Sequence, residues 1–231
     1  PKCNMATGEL VSMEALARWQ KSDGTFVSPE EFIPLFESSG FITRFDMYIW
    51  KSVCKTLAAW QDKGCKLVPI SINVSMIDIT NIDVPQYLSM LTEQYHISPE
   101  YLPVEITESV FAESNTIVKN TITRFHKKGF YVLMDDFGSG YSSLNVLKDA
   151  NVDYLKLDMK FMQIDAKNKG KGIQILKSIV DMAYRLGLVI IAEGVETKEQ
   201  SEILKSMNCN YGQGFYFHRP MSVEAAEELI Q

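Results

Sequence analysis

Apolar runs in this chain end repeatedly in residues that bind cations. Val132-Leu133-Met134 stops at two adjacent carboxylates, Asp135 and Asp136, and Phe137-Gly138-Ser139-Gly140 follows. Neighbouring carboxylates repel each other unless a cation lies between them. The glycines allow a tight turn or a close approach to a ligand. The ending recurs at Glu14 in Met13-Glu14-Ala15-Leu16, at Asn73 in Ile70-Ser71-Ile72-Asn73, and at Glu105 in Val104-Glu105-Ile106-Thr107-Glu108. It recurs again at Lys156 and Asp158 in Tyr154-Leu155-Lys156-Leu157-Asp158, at Glu193 after Ile190-Ile191-Ala192, and at Gln213 in Tyr211-Gly212-Gln213. Glu14, Asn73, Glu105, Asp135 and Asp136 are hard oxygen donors, suited to Mg²⁺ or Mn²⁺ rather than zinc or copper. So many carboxylates could hold two ions with an aspartate between them. Two ions about 3.5–4 Å apart can activate a water and stabilise the leaving oxygen of a phosphoester. Lys156 could position that water or offset phosphate charge, and Arg18 could bind a phosphate oxygen as a fork donor.

The elements that must position these residues alternate along the chain. Strand patterns fall at 2–6, 10–17, 67–73, 102–107, 130–135, 153–158, 188–193 and 211–217. Helical patterns fall near 29–39, 44–63, 84–95, 115–128, 171–186, 197–207 and 222–230. Gly64, Gly129 and Gly187 stand where helices should stop. Ser28-Pro29-Glu30-Glu31 reads as an N-cap, a first-turn proline and a dipole-matched acidic turn. Strands alternating with helices predict an α/β fold, a (β/α)₈ barrel in one domain over 1–231. Strand ends of such a barrel converge on one mouth. Thr7-Gly8-Glu9 is too short for a parallel crossover, which needs about a dozen residues. The first two strands should therefore form an antiparallel hairpin.

Composition narrows the classes further. With 46% hydrophobic residues the chain can bury a sizeable core, and no apolar run approaches the roughly 20 residues of a membrane span. No signal peptide is visible. The formal charge of −6 argues against a DNA or RNA polymer as partner, though not against a small phosphorylated ligand held through metal ions. Cys3, Cys54, Cys65 and Cys209 lack a CxxC pairing and read as reduced thiols of a cytoplasmic protein. His96 and His126 fall near predicted helix ends, which suits capping or solvent-facing roles. The chain opens on Pro1 without an initiator methionine, so a domain excised from a longer multidomain protein is expected, compatible with a membrane anchor elsewhere in it. Asp136-Phe137-Gly138 resembles a kinase triplet, but no glycine-rich loop or HRD loop precedes it. Lys156 at a strand end also fits a Schiff-base lysine, although the acidic surroundings favour a metal site.

Taken together the motifs resemble the EAL domain family of cyclic di-GMP phosphodiesterases. The resemblance rests on Glu14-Ala15-Leu16 with Arg18-Trp19, Ser71-Ile72-Asn73-Val74-Ser75, Glu105-Ile106-Thr107-Glu108 and the run from Asp135 to Leu144. It continues through Leu155-Lys156-Leu157-Asp158, Ala192-Glu193-Gly194-Val195-Glu196-Thr197 and Gln213-Gly214-Phe215-Tyr216-Phe217. It implies a modified TIM barrel with an antiparallel first strand. It also implies metal-dependent hydrolysis of a bacterial second messenger, cyclic di-GMP, to linear 5′-pGpG. By position, Glu14, Asn73, Glu105 and Asp135 would hold one ion, and Asp135 would bridge to a second beside Asp136. Glu193 would be a ligand of that second ion or the general base. Lys156 and Gln213 would position the attacking water. Arg18 and the backbone around Leu16 would contact substrate. Glu108 would anchor the loop after Asp136, which in this family couples metal binding to dimer contacts. The resemblance further implies a homodimer and an upstream sensor or GGDEF-type domain. The alternative is a catalytically silent cyclic di-GMP receptor. The complete donor set, with Lys156, favours the enzyme.

Overall fold

The structure is a computed structural model that describes residues 1–112, 116–138, 147, 150–158 and 169–231. Its first elements are the expected hairpin of β1 (Lys2–Asn4) and β2 (Leu10–Glu14). The connection turns at Gly8, where φ is 74°, and Asn4 N donates to Glu9 O at 2.8 Å. The remaining barrel strands are β5 (Ile70–Asn73), β6 (Val104–Thr107), β7 (Val132–Phe137), β8 (Tyr154–Asp158), β9 (Val189–Glu193) and β10 (Tyr211–Gln213). They close in the order β1-β10-β9-β8-β7-β6-β5-β2. Only β1 runs against its neighbours in this ring, pairing antiparallel with both β10 and β2, while β2 is parallel to β5. The modified barrel read from the hairpin spacing is thus the observed one.

Helices wrap the ring, all but two short ones where the 3.6-residue pattern placed them. They are α1 (Pro29–Ser38), α2 (Ile42–Asp62), α3 (Met76–Asn81), α4 (Val84–Tyr95), α5 (Glu108–Ala112), α6 (Thr116–Lys127), α7 (Lys169–Arg185), α8 (Lys198–Ser206) and α9 (Val223–Glu228). In α2, Trp50, Val53, Cys54, Leu57 and Trp60 recur at helical spacing and are buried against the barrel. The indole of Trp50 donates to Asn73 O at 3.0 Å, tying the helix to the end of β5, and that of Trp60 donates to Glu227 Oε2 of α9 at 3.0 Å. The stop glycines are as expected: Gly64, Gly129 and Gly187 all have positive φ just past a helix. Ser28 has the extended cap backbone with Pro29 behind it, but its hydroxyl makes no cap hydrogen bond.

Three elements escaped the sequence pattern because they are short. These are α3, α5 and a ribbon of β3 (Trp19–Gln20) with β4 (Phe26–Val27), each below the length at which periodicity is readable. The ribbon rests on aromatic rings. Trp19 meets Phe32 and Phe36 of α1 at 5.8 Å each, and Phe32 meets Phe45 of α2 at 5.8 Å. This packing fixes the chain immediately after Arg18.

Where α2 meets α3, two acids are neighbours. Asp78 is fully buried and its Oδ2 accepts from Ser75 N and Ser75 Oγ in a capping box. Burial, then neighbouring Asp78, then Glu37, push the Asp46 carboxyl up to about 8. An unfolded aspartate titrates near 4, so between the two values the folded state holds the extra proton and loses stability as pH rises. Asp46→Asn removes this dependence. Urea melts should show the variant more stable than wild type by roughly 1–3 kcal/mol at about pH 8 and little changed near pH 4. Parallel pH profiles for the two proteins would contradict the raised Asp46 carboxyl.

Candidate metal centre

The parallel strands bring their C-terminal ends to one mouth in a staggered register. Register pairs Glu14 with Ser71, Asn73 with Glu105, Thr107 with Asp135, and Asp158 with Glu193. Asp135 and Asp136 pose a geometric problem, since adjacent residues in a strand face opposite sides. A register shift between Met134 and Phe137 and a left-handed backbone at Asp136, φ 56°, resolve it. The bulge re-aims one side chain, and aspartate tolerates the left-handed region better than most residues. Asp135 stays buried and Asp136 is exposed, yet both join Glu193 with carboxylate oxygens all within 4.8 Å of one another. Glu14, Glu105 and Asp135 form a second such group, so Asp135 belongs to both. Hard oxygens at this spacing could hold divalent cations.

Lys156 stands among them. Its buried ammonium lies 3.0 Å from Asp135 Oδ1, 2.9 Å from Glu193 Oε1 and 3.3 Å from Glu14 Oε2, and it also bonds Glu105 Oε2. Burial opposes its charge, but Glu105, Glu14, Glu193 and Asp135 outweigh that and hold the lysine well above its ordinary value. Burial likewise opposes the Glu105 charge, and Lys2 and Lys156 overcome it, bringing the carboxyl down to about 2. For Glu193, burial with Asp135 and Glu14 nearby outweighs Lys156 and raises the carboxyl to about 8.

Gln213 extends the cluster. Its Nε2 donates to Glu14 Oε2 at 2.7 Å, while its Oε1 is buried with no hydrogen-bond partner among the described residues. The following residue, Gly214, has φ 151°, and a Cβ there would lie 2.3 Å from Val195 O. Only glycine permits this approach, which sets the chain directly after Gln213. Asn73 closes β5 beside Glu105, and its backbone carbonyl accepts from the Trp50 indole.

Leu16 and Arg18 lie outside the carboxylate cluster. Both line a cleft of about 950 Å³ at the mouth, with Phe26, Asp158 and Phe215. Arg18 is exposed and donates to Ala17 O at 2.8 Å. The Glu108 expectation has its geometric counterpart: Glu108 Oε2 accepts from Gly138 N at 2.9 Å. The remainder of the expected control loop, residues 139–144, lies outside the described residues. Sequence reasoning missed Lys2, whose Nζ lies 2.5 Å from Glu105 Oε1. The available signal was a charge inside a short strand flanked by buried Cys3.

A sequence model of the EAL domain matches residues 1–220. The chain belongs to the EAL domain family. Among the relatives of this EAL domain is the probable cyclic di-GMP phosphodiesterase PdeB of Escherichia coli K12. It is 35% identical over 97% of the chain and 42% of PdeB. The cyclic di-GMP phosphodiesterase PdeR of the same organism is 34% identical over 95% of the chain and 33% of PdeR. The chain thus spans less than half the length of these curated relatives. The PaMucR phosphodiesterase, solved as a c-di-GMP complex, is 30% identical with a TM-score of 0.90, covering 98% of this chain and 91% of that one.

Sharing of Asp135 gives a ranking of variants. Asp135→Asn should weaken Mn²⁺ binding, followed by calorimetric titration, more than either Glu14→Gln or Glu193→Gln, because each of the latter touches one group only. The expected loss is about 100-fold against about 10-fold. Equal losses in all three would remove Asp135 from the bridging position.

Proposed function

We propose that this EAL domain, residues 1–231 as one unit, hydrolyses one phosphodiester of cyclic di-GMP to linear 5′-pGpG with two Mg²⁺ or Mn²⁺ ions. The observation that carries the reading is the pair of carboxylate groups meeting at Asp135. The names of PdeB, PdeR and PaMucR support the substrate. Glu14, Asn73, Glu105 and Asp135 would hold one ion, and Asp135, Asp136 and Glu193 the other. We assign Glu193 to the second ion because its oxygen lies in that group. Bound ions would supply an ionised water and offset charge on the leaving oxygen.

The chain's own residues do the rest. Gln213 Oε1 accepts a hydrogen bond from the attacking water, which supplies the partner it otherwise lacks. Lys156 donates to the same water and keeps the acidic cluster from repelling a phosphate. Arg18 at the cleft rim takes a phosphate oxygen, and the backbone at Leu16 borders the substrate. The water gives up a proton to solvent, its oxygen forms the new P–O bond, the P–O3′ bond breaks, and the 3′ oxygen takes a proton from solvent to leave as a hydroxyl. Glu108 holds the backbone just after Asp136 through Gly138. The same reading includes a homodimer, an upstream sensor or GGDEF-type domain in a longer protein, and a cytoplasmic location. Among the described residues no helix is long and apolar enough to cross a membrane.

The test is incubation with cyclic di-GMP and Mg²⁺ or Mn²⁺, with products resolved by chromatography. Linear dinucleotide should form, and EDTA should stop it. Glu14→Ala should lower kcat by about 1,000-fold or more. Binding of cyclic di-GMP without product would leave a receptor instead of an enzyme.

A further inference from the structure

Lys2 is 1% exposed, and its ammonium has two partners: Glu105 Oε1 at 2.5 Å and Ser71 Oγ at 2.7 Å. Ser71 Oγ in turn donates to Met13 O at 3.2 Å. In the ring, β2 and β5 separate β1 from β6, so Lys2 reaches Glu105 through the barrel interior. The reversed direction of β1 makes this possible. A strand running with the others would bring its last residue to the mouth. β1 instead brings its first, and Lys2 pairs with Gln213.

The two oxygens of Glu105 are thereby divided. Oε1 belongs to Lys2, which also lines a second cavity of about 210 Å³ with Ser12, Pro69, Tyr131 and Tyr211, away from the mouth. Oε2 belongs to Lys156, on the side shared with Glu14, Asp135 and Glu193. A fully buried carboxylate needs compensation for its charge. If Lys156 is to serve a water, a second cation must hold Glu105 in place.

We propose that Lys2 is a positioning residue of the metal centre: it occupies Glu105 Oε1, fixes the rotamer and turns Oε2 toward Lys156 and the other carboxylates, the side from which an ion would take it. This rests on the reading of Glu105 as an ion ligand. Groups behind a ligand typically change metal affinity by about 10- to 100-fold. Lys2→Met keeps the stem and removes the ammonium. Calorimetric titration with Mn²⁺ should show its dissociation constant raised by about 10- to 100-fold. In a Glu105→Gln background the same substitution should change affinity by less than about 3-fold, because the residue through which Lys2 acts has been altered. An unchanged dissociation constant for Lys2→Met overturns the proposal. So does a double variant that loses the full factor again. Should Lys2→Met fail to fold, Lys2→Gln keeps one N–H for Glu105 without the charge and is judged by the same cycle, with about a 5-fold loss expected. The activity reading fails separately. Wild type that binds Mn²⁺ and cyclic di-GMP without releasing linear dinucleotide would refute hydrolysis, while the titration cycle would still decide the role of Lys2.

Discussion

Negative charge buried inside the barrel mouth is the constraint on which the rest of this structure depends. Glu14, Glu105, Asp135 and Glu193 all contact one ammonium, that of Lys156. Carboxylates this close in a low-dielectric interior cannot all stay ionised without cations among them. The opposite shifts of Glu105 and Glu193 follow from how compensation is distributed. Glu105 has a lysine on each oxygen, whereas Glu193 shares one lysine with three other acids. The architecture around the cluster reads as a way of holding like charges together: a staggered register that gathers strand ends at one mouth, a bulge at the aspartate pair, and a lysine threaded through the interior.

Rigid packing serves the same end. Trp50 of α2 is fully buried and caps the carbonyl of Asn73, so a helix on the outside fixes a strand end on the inside. Glu108 begins α5 three residues after Glu105 and holds Gly138, two residues beyond Asp136. One strand end thus bears both a carboxylate of the cluster and the tether of the segment that follows the aspartate pair. On the far side, the Trp19–Phe32–Phe36 stack holds the β3–β4 ribbon against α1, and the cleft wall with it.

Much of this was legible in the sequence, for identifiable reasons. Strand ends were readable because each apolar run stops at a polar residue, and a buried strand leaves a continuous apolar signature. The hairpin was readable because Thr7-Gly8-Glu9 is too short for any other connection. The Lys2–Glu105 contact was not, since it joins residues on strands that are neither adjacent in sequence nor neighbours in the sheet. The bulge was hidden for another reason. Asp135 and Asp136 announce a charge problem, but nothing in their identity says that the backbone turns left-handed to solve it. The raised Asp46 carboxyl was equally silent, because Asp46 and Asp78 each look like an ordinary surface residue of their own helix.

The antiparallel seam has a consequence for how the protein comes into being. β1 pairs with its ring neighbour β10, Lys2 in register with Gln213, so the first and last strands of the barrel must meet for the ring to close. Contacts between distant parts of a chain form late and slowly. During synthesis the early strands emerge with Lys2 lacking the partner strand β10 and with Glu14 lacking Gln213. The acidic cluster is completed only when the C-terminal strand docks, which makes assembly of the site and closure of the barrel one folding event.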